Sequence, residues 1–334
     1  MNSFRALVVE EISENVFQRK IKENSIDFLP KNDTLIKVFY SALNYKDALS
    51  ARGHKGITRN YPHIPGIDAS GIVIESKSNK FKAGDKVLVT GYDMGMNTFG
   101  GFSELISVPS EWIVPLPENL TLREAMILGT AGFTVGLAID AIFQNQISPD
   151  DGPVLVTGAT GGVGSLAILI LSKIGFKVTA STGKTDKYDF LRKIGVENII
   201  SRNDVINETD KPLLSKRWVA ALDNVGGVTL STAIRSCYNH GIICSIGNTS
   251  SDKFTVSVYP FILRGVRLFG IDSAETKMDK RLTIWQKLSN QWKPDNLDII
   301  VKEVNLESLN NEIDLILQGQ QCGKVLIKIS DENV

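Results

Sequence analysis

Six residues, Ala159-Thr160-Gly161-Gly162-Val163-Gly164, join the apolar run GPVLVTG to the stretch SLAILILSKIG, whose apolar spacing is helical. Strand, tight turn and helix start in that order gather unpaired backbone N–H groups and the positive end of a helix dipole at one point, where a phosphate binds. Within the dinucleotide pattern, Gly161 lets the backbone approach a pyrophosphate and Gly164 lets helix and strand pack closely, while Ala159 stands for the first glycine. A lone turn of this type can be a plain connection. Here the flanking strand, the apolar helix and the alternation that follows all point to a bound dinucleotide.

The second apolar run ends in VTASTGK, Val178 to Lys184. An acid for the ribose hydroxyls is expected about 20 residues beyond the turn. Thr182, Gly183 and Lys184 occupy that neighbourhood instead, and Asp186 falls too far along, at the start of the next helix. A carboxylate would repel a 2′-phosphate, whereas Lys184 attracts one and Thr182 can donate to it. Arg202, after the third strand, adds a second charge. The bland alternative is that both cations are merely solvated. The pattern favours NADPH over NADH.

Two kinds of chain must position this turn. RALVVEE, TLIKVFYSALN, SGIVIES and DKVLVTGY are short, β-branched runs with polar or glycine breaks, so the first part reads as strands and turns. From about Ala125 the character changes. LREAMILGTAGFTVGLAIDAIF is apolar with helical spacing, and strand-like segments (GPVLVTG, FKVTAST, VENIIS, WVAALDNVG, GIICSIG) then alternate with helical ones (SLAILILSKIG, DKYDFLRKIG, TLSTAIRSCYN). That alternation predicts a parallel sheet covered on both faces, a doubly wound α/β domain. The tail carries helices near LTIWQKLSNQW and SLNNEIDLILQ and a last strand, KVLIKIS.

With 334 residues the chain has room for two domains. Its 37 basic residues balance its 37 acidic ones, which argues against a nucleic-acid or anionic-membrane partner. The first residues carry charges inside the apolar run and do not read as a secretory signal, and no run approaches a membrane span. Cys237, Cys244 and Cys322 are widely separated, consistent with a reducing compartment and a cytoplasmic protein. Cys237 and Cys244 sit in apolar settings and read as inert thiols.

Several further stretches carry a resemblance over nearly the whole chain, from Arg5 to Ile329: SALNYKDALSARG, YPHIPGIDASGIV, AGDKVLVTGYDMG, GGFSELISVPSEWIVPLP, MILGTAGFT, YPFILRGVRLFGIDS and GKVLIKI. Together with the order of strand-rich half, linking helix and ATGGVG, they resemble the zinc-free medium-chain dehydrogenases/reductases. The branch is the one holding NADPH-dependent acryloyl-CoA reductases and proteins with provisional quinone oxidoreductase names. The resemblance implies a GroES-like β-rich catalytic domain, residues 1–125 and 295–334, around a Rossmann NADPH-binding domain, residues 126–294, with the active site in the cleft. Its NADP contacts fall on Tyr45, Thr160, Gly161, Gly162 and Val163, then Thr182, Gly183 and Lys184, then Arg202, Asn248, Ile262 and Ser273.

Zinc-bearing relatives place a cysteine at Asn44 or Tyr45 and a histidine–glutamate pair at Ile67-Asp68; the structural-zinc lobe matches TGYDMGMNTFGGF, which has no cysteine. No metal is therefore expected. Without one, developing negative charge must be met by hydrogen bonds while the cofactor supplies hydride. Tyr45 is the candidate proton donor, or else packs against the nicotinamide. Asn44 is a donor to an oxyanion, or else holds the ribose. For CoA phosphates, Arg52, His54, Lys55 and Arg59 form one basic surface, and Arg264 with Arg267 another. The leading expectation is reduction of the carbon–carbon double bond of a short α,β-unsaturated acyl-CoA, acryloyl-CoA to propanoyl-CoA. A quinone or enone oxidoreductase is the same-fold rival, and a non-catalytic NADPH-binding module the rival from another class. The VRLFGID edge suits a homodimer.

Overall fold

The computed structural model describes residues 3–332. In chain order the elements are β1 (Ser3–Ser13), β2 (Val16–Ser25), β3 (Thr34–Leu43), α1 (Tyr45–Ala51), β4 (Asp68–Ser76), β5 (Lys86–Thr90), β6 (Leu105–Val108), β7 (Ile113–Pro115) and α2 (Leu122–Gln144). There follow β8 (Val154–Thr157), α3 (Gly162–Lys173), β9 (Val178–Thr182), α4 (Tyr188–Lys193), β10 (Asn198–Ser201), α5 (Arg202–Val205), β11 (Trp218–Asp223) and α6 (Gly227–Arg235). The remainder is β12 (Cys237–Ser245), α7 (Tyr259–Arg264), β13 (Arg267–Gly270), α8 (Met278–Leu288), β14 (Val301–Asn305), α9 (Leu309–Leu317) and β15 (Lys324–Lys328).

These elements form two compact units. One takes the chain up to Ala131, then Ala274–Ser289, then everything from Val301; the other takes Gly132–Ser273 and Asn290–Ile300. The boundaries expected at 125/126 and 294/295 thus shift, and α8 joins the strand-rich unit. The reason is a buried cation. Arg281 of α8 is fully buried, donates to the Thr90 carbonyl (2.8 Å) and Oγ1 (2.9 Å), and lies 4.4 Å over the Tyr92 ring, which itself stacks on Trp112. A guanidinium removed from water needs such partners, so its helix stays with them.

In the strand-rich unit, β14, β15, β3, β4, β5 and β7 make one sheet in that order, with β6 paired to β3, and β1 pairs β2 as a separate hairpin. Alternate residues of β3 and β4 pack a core that includes Ile36, Val38, Val73, Phe102, Leu309 and Ile327, all essentially without exposure. Burying each such side chain stabilises by about 1.5–3 kcal/mol before the cost of ordering it. β2 reads VFQRKIKENS, its charges facing water along the hairpin, which hides it from a search for apolar runs.

The other unit is the doubly wound sheet. Its six strands run β10-β9-β8-β11-β12-β13, every pairing parallel. The order reverses between β8 and β11, and in such sheets ligands bind beyond the carboxyl ends of the strands at that point. Leu155, Ala221, Ile243, Ile234 and Trp218 fill its core. Of the described helices, α2 is long and apolar enough to cross a membrane, but 78% of its apolar window is buried in the protein, as in a core helix. It is also broken: Gly129 sits at φ 49°, ψ −154°.

Candidate active site

The phosphate turn lies where the sequence places it, between β8 and α3. Gly161 is the N-cap of α3, and a Cβ on it would meet only the Gly158 carbonyl at 3.4 Å, so its outer side is open. At Gly164 a Cβ would lie 2.4 Å from the Gly158 oxygen, so close helix-to-turn packing forbids any side chain there. Beneath the turn the buried Asp223 accepts from Thr157 Oγ1 and the Gly226 N–H, both at 2.7 Å, and Asn224 donates to the Thr157 carbonyl at 2.8 Å. These bonds tie the ends of β8 and β11 together. Burial pushes the Asp223 carboxyl up, opposed by those donors.

At the carboxyl end of β9, Thr182 is buried and its Oγ1 accepts the Lys184 N–H at 3.1 Å. The β9–β10 register sets Ser201 opposite Thr182, so Arg202 opens α5 beside the glycine. A Cβ on Gly183 would lie 3.0–3.1 Å from three atoms of the Arg202 guanidinium. The Arg202 guanidinium therefore lies against Gly183 at the strand ends, next in the chain to Lys184, with Gly183 leaving room for it. Asp186, the nearest following acid, pairs with Lys187 at 2.9 Å. Asn248 follows β12, and Ser273 follows β13, on the same carboxyl rim. Ile262 stands apart, on α7 and 67% exposed in an apolar strip with Val258, Tyr259 and Leu263.

Tyr45 and Asn44 belong to the strand-rich unit. β3 ends at Leu43, Asn44 is the N-cap of α1, and Tyr45 is its first residue, 45% exposed. Asn44 is held on every side. Its Nδ2 donates to Asp68 Oδ2 at 2.8 Å, with Asp47 Oδ2 and the Ala42 carbonyl each at 3.3 Å, and its Oδ1 lies 3.5 Å from Lys324 Nζ. Antiparallel pairing of β15 with β3, Val325 opposite Leu43, brings Lys324 to this point. Asp47 accepts the backbone N–H groups of Asn44 and Ile67, both at 2.8 Å. Asp68 accepts from Thr130 N (2.9 Å) and Thr130 Oγ1 (2.7 Å) where α2 restarts after Gly129.

Asp47, Asp68 and Lys324 are all buried. Burial and the neighbouring Asp68 push the Asp47 carboxyl up to about 7, against the pull of its N–H donors. Burial likewise raises Asp68, opposed by Lys324, and lowers Lys324, opposed by both carboxylates. None of these three was singled out from the sequence as a functional residue. The available signal was Asn44-x-x-Asp47, a capping-box spacing, and a lysine opening the last strand.

Other candidates resolve differently. Arg264 donates to the carbonyls of Arg235, Cys237 and Leu214, so its charge is spent inside the fold and it is no landing point for a phosphate. Lys55 pairs with Glu11 at 2.5 Å and lies over Phe17 and Tyr61. Cys237 and Cys244 are buried, with burial pushing both thiols up to about 12. Trp285 and Trp292 are core residues, the latter stacked on Phe143.

The sequence is 45% identical, over 98% of this chain and 99% of the relative, to YhfP of Bacillus subtilis, which carries a provisional quinone oxidoreductase name. The solved structure of that protein, with NAD bound, superposes with a TM-score of 0.95 over 98% of this chain and 100% of that one. An acrylyl-CoA reductase of Ruegeria pomeroyi is 38% identical over 98% of this chain and 99% of its own. The yhdH oxidoreductase of Salmonella enterica, in complex with NADP, superposes with a TM-score of 0.94 at 36% identity, covering 98% of this chain and 100% of that one. Residues 30–118 match the alcohol dehydrogenase GroES-like domain and residues 162–289 the zinc-binding dehydrogenase domain.

The chain belongs to the medium-chain dehydrogenase/reductase family.

Its zinc-binding domain name sets a test that the residues present do not meet. Where the resemblance puts the thiolate, imidazole and carboxylate of zinc-bearing members, this member has Asn44 or Tyr45, then Ile67 and Asp68. Asp68 already accepts from Asn44 and Thr130, and a buried ammonium faces it. A divalent cation there would be repelled by Lys324 and would find few free donors. Among the described residues no group of three or more histidine, cysteine or acidic side chains is placed to hold a metal.

Proposed function

We propose that this protein is an NADPH-dependent reductase of the carbon–carbon double bond in a short α,β-unsaturated acyl-CoA, acryloyl-CoA being the leading substrate. The observation that carries the cofactor choice is the Arg202 guanidinium set against Gly183, the residue before Lys184, at the strand ends where an NAD-type site would carry an acid. Thr160 to Val163 receive the pyrophosphate at the start of α3, Thr182 donates to the 2′-phosphate, and Asn248, Ser273 and Tyr45 complete the cofactor contacts. The substrate class is supported by the Ruegeria relative's name.

NADPH, when bound, supplies the hydride. Hydride adds to the β-carbon, the electron pair of the double bond moves toward the thioester oxygen, and a proton is taken up at the α-carbon. Tyr45, a phenol exposed at the head of α1, donates that proton and regains one from solvent. Reduction of a quinone is the second reading, favoured by the provisional name of the Bacillus relative. The test is one set of assays with NADPH or NADH against acryloyl-CoA and a simple quinone. A preference of about 100-fold in kcat/KM, ~2.7 kcal/mol of transition-state binding, assigns the substrate.

The same reading makes the protein a cytoplasmic homodimer. β13 is the last strand of its sheet, and beside it α7 and the segment before it expose Val258, Tyr259, Ile262 and Leu263. A second copy related by a twofold axis would pair this edge with itself and cover the apolar strip.

A further inference from the structure

We propose that the Lys324 ammonium is a fixed counter-charge built into the fold where the residues present do not fit a metal ion: it offsets the buried Asp47–Asp68 pair, locks the Asn44 side chain and so fixes Tyr45 at the head of α1. Four observations converge. The ammonium is buried 3.5 Å from Asn44 Oδ1, within electrostatic reach of both carboxylates. Both polar ends of the Asn44 amide are engaged, Oδ1 toward Lys324 and Nδ2 toward Asp68 and Asp47. No amide hydrogen is left over for a substrate oxygen. Asn44 is thus a positioning residue, not the oxyanion donor.

The second observation concerns the helix. Asp47 closes a capping box on Asn44 and also accepts the Ile67 N–H, so the same carboxylate fixes the start of α1 and the approach to β4. Third, Gly129 leaves helical geometry so that Thr130 can donate twice to Asp68; a Cβ at Gly129 would lie 2.6 Å from Asp68 Oδ2. The chain thus bends an otherwise continuous helix to supply donors to an anion. Fourth, Arg281 of α8 is a further cation within electrostatic reach of Asp68, but it is bonded to Thr90 and Ala274. Lys324 instead reaches the oxygen of the Asn44 amide, which the carboxylates hold from the other side. An ammonium differs from zinc in one respect that matters: it has no open coordination position. It therefore arranges the residues around it without polarising a substrate, and suits hydride transfer to an already conjugated acceptor.

The activity arm of the test rests on the reading above; the metal and stability arms do not. Wild-type protein incubated with zinc and dialysed is expected to retain far less than one ion per chain by elemental analysis. In Lys324→Met, kcat is expected to fall at least about tenfold while the NADPH Kd stays within about twofold, because the phosphate cradle is built from other residues. The neutral limb of the pH profile, in kcat or in Tm, moves upward as the carboxylates lose their counter-charge. The double variant Asp68→Asn, Lys324→Met removes both charges and provides a folded reference if the single variant is unstable. One zinc retained per wild-type chain overturns the proposal. So does a folded Lys324→Met protein whose kcat and pH profile match wild type. Loss of turnover on every substrate in wild type would sink the activity reading alone, leaving the zinc content and the pH dependence of Tm to decide on Lys324.

Discussion

Replacing Lys184 or Arg202 with alanine removes a charge-assisted contact worth about 1.5–3 kcal/mol from a 2′-phosphate and nothing from a ribose hydroxyl. Either variant is expected to raise KM for NADPH about 10- to 100-fold with little change for NADH, read in steady-state kinetics with both cofactors. Equal effects would remove the phosphate role. Tyr45→Phe keeps the ring and loses only the proton; a fall in kcat of about 100-fold is expected if the phenol is the acid, and full turnover leaves it a packing role. Asp47 supplies a pH prediction. Its folded pKa, about 7, lies above its ordinary value, so the folded state holds a proton that the unfolded chain releases. Stability from that proton is present below about pH 4 and lost as pH rises through 7. Compared with Asp47→Asn, which does not titrate, wild type should lose Tm between pH 5 and pH 8. At this scale the sequence points to Lys184 and Arg202, because an acid missing from a known position is a local signal. The Asp47–Asp68–Lys324 cluster was not, because its members meet only when the last strand pairs with β3.

The alternation from GPVLVTG onward gave the parallel sheet correctly, since apolar strands buried on both faces and apolar-faced helices differ in period. β2 and β14 escaped the same reasoning: VFQRKIKENS and VKEVN are charged and largely solvent-facing, held by pairing and not by burial. In α2, continuous helical spacing concealed the break at Gly129, where the demand comes from a carboxylate on another element. Gly129→Ala combines a positive φ with a Cβ 2.6 Å from Asp68 Oδ2. It is expected to lower Tm by several degrees in thermal unfolding, more than Gly84→Ala, whose Cβ would meet nothing within 4 Å despite its own positive φ. Equal losses would mean that backbone conformation alone matters at Gly129.

For the molecule as a whole, charge balance and apolar content were readable at once, and the domain order followed from the change of character near Ala125. The assignment of α8 was not readable, because it depends on where Arg281 finds partners. Ile262→Glu or Leu263→Glu sets a carboxylate in the exposed strip of α7. Either is expected to convert a dimer to monomer in sedimentation velocity, and a wild-type monomer would remove the dimer reading outright. One arrangement described above bears on how the chain is made. Asp47 and Asp68 leave the ribosome early, whereas Lys324 emerges after the whole parallel-sheet unit has been translated. Until then the two acids have no ammonium to close upon and keep their water. The parallel-sheet unit is therefore complete in sequence before β15 is made, and the strand that lies between β14 and β3 is the last one the strand-rich sheet receives.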